Sequence, residues 1–254
     1  MGLIPLLFLI GLVVGLIWMA MHVQEDTLDT RPNNESKSWS ESGSQRSSNN
    51  TIHSNPVPYI EPEMFPVEQV IPPEITASRY QPEHLEACKT LFDIVEGAGK
   101  VPFGYAKEFN IVLEKETHLK YLLWHQGNII AFGSLITPDA CPPPEDGSSP
   151  RLDIFTCCFG IVHPDWQGKR LGRVLFAIRV IEAYEREGGI IFLTATDFSK
   201  GYFELLGFKF PPEGIHADDN GAMHHHGYVR LQETIRDRLK LFLFTNGIKI
   251  PETG

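Results

Sequence analysis

The segment Ile161-Val-His-Pro-Asp-Trp-Gln-Gly-Lys-Arg-Leu-Gly172 joins a predicted strand to a predicted helix. The preceding run, 152–162, is apolar and β-branched, which is typical of a strand. Over 171–186 apolar residues recur at helical spacing, and two glycines then end the segment. The first backbone N–H groups of such a helix have no partner within it, and they favour an anion. The turn is therefore a candidate phosphate or pyrophosphate site.

The residue types of this turn suit the same chemistry. Gly168 and Gly172 have no side chain to hold an anion away from the backbone. Lys169 and Arg170 supply positive charge beside them.

A second segment, Tyr202-Phe-Glu-Leu-Leu-Gly-Phe208, follows downstream at a short predicted helix. Together the two segments resemble the signatures of the GNAT N-acetyltransferase superfamily. One signature is a strand ending in V-x-P, then Q/R-x-x-G-x-G/A at a helix start; here Val162-His-Pro164 precedes Gln167-Gly-Lys-Arg-Leu-Gly172. The other reads roughly F-Y-E-K-L-G-F. Both occur in the family's order, and the resemblance covers residues 75–231.

The resemblance implies an acyltransferase that uses acetyl-CoA as cosubstrate and transfers the acetyl group to a small-molecule or peptide amine by direct attack on the thioester. The pyrophosphate would rest on the amides of residues 168–172, and the pantetheine arm would lie along the end of the preceding strand. Arg170 replaces the first Gly of the signature, so we expect binding to survive with altered geometry. The cofactor-binding residues implied are Ile161, Val162, Gln167, Gly168, Lys169, Arg170, Leu171 and Gly172.

The catalytic residues match the family less completely. In this family the tyrosine that often acts as the catalytic acid stands at the second position of the short-helix signature, where this chain has Phe203. Tyr202, one residue earlier, is the candidate acid. The middle of the predicted strand 152–162 offers no carboxylate as a base. The alternative function is therefore a non-catalytic acyl-CoA-binding or scaffold module of the same fold.

Mixed strands and helices predict an α+β domain. Two apolar runs, 118–124 and 128–137, are joined by a glycine-containing turn and predict a hairpin. The resemblance implies the GNAT fold over residues 75–231, which is a mixed, mostly antiparallel central sheet flanked by helices. Residues 232–254 are predicted to be a C-terminal helical extension with an amphipathic helix.

The amino terminus is predicted to be a transmembrane segment, residues 1–23. Residues 2–21 are twenty consecutive positions without a charged side chain, which is long enough to span a bilayer as a helix. A cleaved signal peptide is the alternative, although no basic residue precedes the run. Residues 24–74, rich in Ser, Asn, Pro and acidic residues, are predicted to be a disordered stalk. We therefore expect a single-pass membrane protein, with the side of the membrane left open.

Composition narrows the class of partner. The formal net charge is -10, with 22 Lys and Arg against 32 Asp and Glu, and no basic stripe is present. This argues against nucleic acid, because phosphate contacts need clustered Lys and Arg. The four cysteines lack metal-site spacing. His224, His225 and His226 cannot all face one ion on a strand, so we predict no metal site and mostly solvated histidines, one of which could line the acceptor pocket.

Overall fold

The computed structural model describes residues 58–101, 104–140, 153–217 and 223–251. The predicted transmembrane segment, residues 1–23, lies outside these ranges, and so does the predicted stalk up to residue 57. Both therefore stay predictions. Within the described ranges, no helix is long and apolar enough to cross a bilayer.

A seven-stranded mixed sheet forms the centre of the described domain, with its strands in the order β1-β2-β3-β4-β5-β7-β6. Only the β4–β5 pair is parallel among these neighbours; the others are antiparallel. This confirms the predicted mixed, mostly antiparallel α+β sheet. The strands are β1 (Ile75–Arg79), β2 (His118–His125), β3 (Asn128–Ile136), β4 (Ile154–Val162), β5 (Ile190–Thr196), β6 (Ile215–Ala217) and β7 (Met223–Arg230).

Helices cover both faces of the sheet. One face carries an apolar cluster in which Phe92 stacks on Phe109 with ring centroids 4.6 Å apart, and Phe109 meets Phe132 of β3 edge-on. The other face buries the apolar side of the helix that links β4 to β5. We call these the α1–α2 face and the α3–α5 face. The helices are α1 (Leu85–Gly97), α2 (Ala106–Glu114), α3 (Leu171–Glu185), α4 (Asp197–Leu205) and α5 (Glu233–Thr245).

The folded domain begins earlier than the sequence predicted. Residues 58–74, assigned to the end of the stalk, pack onto the α3–α5 face instead. Phe65 is fully buried, and its ring lies 6.3 Å from that of Phe176 in α3 and 5.5 Å from that of Phe242 in α5. The predicted boundary at residue 74 is therefore wrong, because apolar side chains of this Pro-rich segment are buried in the core of the domain.

The C-terminal helix is part of the same core. Ile235, Leu239 and Phe242 of α5 are buried, as its amphipathic pattern predicted. After the helix, the Asn246 side-chain oxygen accepts hydrogen bonds from the Val70 and Ile71 N–H groups, both at 2.8 Å. The segment before β1 and the end of the C-terminal helix are thus bonded to each other.

Candidate active site

The parallel pairing of β4 with β5 stops halfway along β4. It extends only as far as Cys157 opposite Leu193. Beyond that point β4 has a bulge, where its register against β3 shifts and Phe159 takes a left-handed φ of 42°. Residues 158–162 of β4 and residues 194–196 of β5 are therefore not paired with each other. We call the place between these two segments the β4–β5 gap; bulges of this kind commonly lie beside active sites.

Helix α3 starts close to the end of β4, after the 3-10 turn Pro164–Trp166. Arg170 immediately precedes the helix in a left-handed conformation, φ 61° and ψ 12°, and no side chain caps the helix. Among the described residues, the N–H groups of residues 168–172 have no hydrogen-bond acceptor. Orphan N–H groups at a helix start are the backbone arrangement that binds phosphate.

Access to these N–H groups is open. Gly168 has φ of 75°, and a β-carbon added to it would meet no atom within 4 Å. The Lys169 ammonium lies 4.1 Å from the centroid of the Trp166 ring, which holds its positive charge over the turn. Gln167 donates from Nε2 to the Val162 carbonyl at 3.2 Å and ties the turn to the strand end.

All eight predicted cofactor residues lie together on the end of β4, in the turn or at the start of α3. Residues 167–170 are exposed. The side chains of Ile161 and Leu171 are buried in the core, so those two residues have only backbone atoms to offer. Binding by these residues stays a prediction.

The structure places the Tyr202 hydroxyl against the start of α3. A β-carbon added at Gly172 would lie 3.5 Å from Tyr202 Oη. This oxygen is buried and has no hydrogen-bond partner among the described residues. Burial raises the pKa of Tyr202 to about 12, although Arg179 and Arg173 oppose the shift. The hydroxyl is thus protonated at neutral pH, and its assignment as the catalytic acid stays a prediction.

The three consecutive histidines are buried, so the expectation that they are mostly solvated is wrong. They lie on β7, which has β5 on one side and β6 on the other. His225 reaches Asp197 Oδ1 at 2.6 Å, whereas His224 and His226 lie on the opposite face of the strand. Their burial was not predicted because the neighbouring strand β6 has only three residues, and so short a strand leaves almost no pattern in a sequence. Among the described residues, no group of three or more His, Cys, Asp or Glu side chains is arranged to hold a metal ion.

His226 lies on β7, one strand away from the β4–β5 gap, with β5 between them. It pairs across the sheet with Thr194 of β5, and its Nδ1 shares a hydrogen bond with Thr194 Oγ1 at 3.0 Å. His216 of β6 stacks on the His226 ring, with centroids 4.6 Å apart, and Tyr105 Oη lies 2.6 Å from His224 Nε2. Burial lowers the pKa of His226 to about 4, assisted by the charges of His216 and His224. A neutral imidazole therefore lies next to an exposed hydroxyl at the edge of the gap.

No protein-family model matches this chain, and no curated protein matches it. Solved structures do match. A probable acetyltransferase from Staphylococcus epidermidis is 11% identical, with 62% of this chain and 99% of that chain covered and a TM-score of 0.50. A putative acetyltransferase of the GNAT family from Desulfovibrio desulfuricans is 14% identical, covering 61% and 98%, with a TM-score of 0.48. The ribosomal-protein-S18-alanine N-acetyltransferase from Escherichia coli is 21% identical, covering 62% and 94%, with a TM-score of 0.47. The chain has the GNAT fold, as its two signatures predicted.

Proposed function

We propose that this chain is an acetyl-CoA-dependent N-acetyltransferase held at a membrane by its amino-terminal segment. One observation carries the proposal: the N–H groups of residues 168–172 have no acceptor within the described chain and lie at a helix start next to the end of β4. A diphosphate has the charge and the acceptor oxygens that such groups bind. The exposed cations Lys169 and Arg170 add attraction to it.

The β4–β5 gap suits the rest of the cosubstrate. Because residues 159–161 of β4 lack β5 as a neighbour, their backbone groups on that side are available to an amide-bearing arm such as pantetheine. The thioester carbonyl would then accept a hydrogen bond from a β4 N–H. Such a donor stabilises the negative charge that forms on the carbonyl oxygen during attack.

Attack by an amine requires that its proton be removed. The nitrogen forms a bond to the carbonyl carbon, the carbon–sulfur bond breaks, and the amine loses one proton. We assign that proton to His226, which is neutral at pH 7 and is hydrogen-bonded to the exposed Thr194 hydroxyl at the gap. Tyr202 is our candidate donor to the departing sulfur, because its hydroxyl stays protonated at neutral pH.

The membrane anchor rests on sequence alone. Residues 2–21 are uncharged and apolar, and residues 24–57 would form the tether to the folded domain. Extraction of cell membranes with alkaline carbonate tests this part. We expect the full chain to stay with the membrane pellet and a chain lacking residues 1–23 to be released; release of both would contradict the anchor.

The activity is tested on the full chain in detergent, first by titration with CoA and then by thiol release from acetyl-CoA across a panel of amines. We expect binding, and turnover with at least one amine. Binding without turnover for any amine would favour the alternative, a non-catalytic acyl-CoA-binding module. Absence of binding at millimolar CoA would contradict both functions.

A further inference from the structure

Arg179 of α3 places a guanidinium group beneath the bulge of β4, and only 3% of the residue is exposed. Its Nη1 donates to the Ser134 carbonyl of β3 at 3.3 Å and to the Cys158 carbonyl of β4 at 3.5 Å. Its Nε donates to the Leu175 carbonyl within its own helix at 3.1 Å. The guanidinium thus bridges β3 and β4 where β4 leaves β5.

This cation has no carboxylate partner within the described residues, whereas the other buried charged residue of the same helix, Glu182, has two cationic partners. Glu182, 4% exposed, lies 2.7 Å from Arg79 and 2.7 Å from Arg186. An ion buried without a counter-ion destabilises a fold by several kcal/mol, and an apolar side chain of similar volume would fill the space without that cost. Packing alone therefore does not explain an arginine here.

The titratable groups that face Arg179 do not neutralise it. Among the described residues, Cys157 of β4 and Tyr202 of α4 would interact with it in their charged forms. Burial raises the pKa of both groups, so both are neutral at pH 7. The positive charge of Arg179 therefore persists in the folded domain.

A thin layer of backbone separates this charge from the β4–β5 gap. Gly160 lies in the exposed part of β4, and a β-carbon added to it would lie 3.3 Å from Arg179 Nη2. A β-carbon added at Gly133 of β3 would lie 3.4 Å from the Arg179 Nε and Cζ atoms. Glycine at these two positions lets the guanidinium approach the strand backbone closely. Its field is thus felt at the surface of the gap, because the interior screens charges weakly.

We propose that Arg179 is a positioning residue that fixes the bulge of β4 and gives the β4–β5 gap a positive potential, which stabilises negative charge on the reacting thioester. The inference rests on the proposed function. When the amine adds to the carbonyl carbon, the π-electron pair moves onto oxygen; when the carbon–sulfur bond breaks, its pair moves onto sulfur. Arg179 exchanges no proton in either step, and it acts on both charges through the β4 backbone.

The test uses the full chain with Arg179→Met, which keeps an unbranched apolar stem and removes the charge. Two quantities are measured: the pKa of the CoA thiol while bound, by its ultraviolet thiolate absorbance, and kcat with acetyl-CoA. We expect the bound-thiol pKa to rise by about one unit and kcat to fall about 10- to 100-fold, with little change in CoA affinity. Arg238→Met is the matched control. Arg238 lies on α5, and its Nε also donates a hydrogen bond to a backbone carbonyl, that of Phe65.

A second variant covers the case in which Arg179→Met does not fold. Gly160→Ala adds a methyl group that faces the guanidinium and displaces it, so we expect shifts in the same directions and smaller. Two results would overturn the proposal, provided that the wild-type chain binds CoA. In the first, both variants fold and have the thiol pKa and kcat of wild type. In the second, Arg179→Met does not fold and Gly160→Ala has the thiol pKa and kcat of wild type. If wild type itself binds no CoA, the proposed function fails and this inference fails with it.

Discussion

The two halves of β4 are built for different purposes. Its first half, residues 154–157, is bonded to β5 and fully buried. Its second half, residues 158–162, has no β5 neighbour, contains the bulge, exposes Gly160 and lies over the buried charge of Arg179. One strand thus supplies stability at one end and open backbone beside the proposed anion-binding turn at the other. Substitutions in the two halves should separate stability from binding.

The largest effect is expected in the closed half, from Phe155→Ala. Phe155 is buried against the α3–α5 face, so truncation leaves a cavity and should lower the free energy of unfolding by about 3–5 kcal/mol. Denaturant unfolding measures this, and the protein that remains folded should bind CoA with wild-type affinity. Phe198→Ala is the control, because Phe198 is 82% exposed. A stable Phe155→Ala chain that has lost CoA binding would break the comparison.

The second prediction concerns the turn after the open half. Gly168→Asp places a carboxylate among the orphan N–H groups and should weaken CoA binding at least about 100-fold, which corresponds to roughly 3 kcal/mol. Gly168→Asn has the same shape and also tolerates the left-handed φ of 75°, so it should lose only a few-fold. Calorimetric titration of both variants separates charge from shape. Equal losses in the two would show that charge at this turn is unimportant.

The third prediction tests the acceptor side of the gap. His226→Gln should lower kcat about 100-fold with CoA affinity unchanged, because the imidazole that takes the amine proton is lost. Since burial holds the pKa of His226 near 4, protonation of this imidazole should not by itself lower wild-type activity between about pH 5 and pH 7. His225→Gln, on the other face of β7, is the control. An unchanged kcat in His226→Gln would remove this residue from the mechanism.

The smallest effect is expected at Arg170. This residue has a left-handed backbone conformation and stands where the GNAT signature has glycine. Arg170→Gly relieves a conformational cost of about 1 kcal/mol, partly offset by greater freedom of the unfolded chain. We expect a slightly higher Tm and a change in CoA affinity of less than about fivefold. Arg170→Ala keeps the strain and removes the charge. A higher Tm in Arg170→Ala would show that the strain argument is wrong.

The turn and its helix could be predicted because their signals are local: glycine spacing, a Val-x-Pro strand end and an apolar helical repeat. The burial of Phe65 could not, since its partners Phe176 and Phe242 are more than a hundred positions away and its own segment is rich in proline. Arg179 gave no sequence signal either. Its role depends on the carbonyls of β3 and β4, which only the folded sheet brings to it.

The most direct test is nuclear magnetic resonance of the amides of residues 168–172 during titration with CoA, and separately with pantetheine, which lacks the diphosphate. Direct hydrogen bonding to the diphosphate should shift the Gly168 and Gly172 amide protons with CoA and leave them in place with pantetheine. Equal shifts with both ligands, or shifts confined to other parts of the domain, would contradict a diphosphate site at the start of α3.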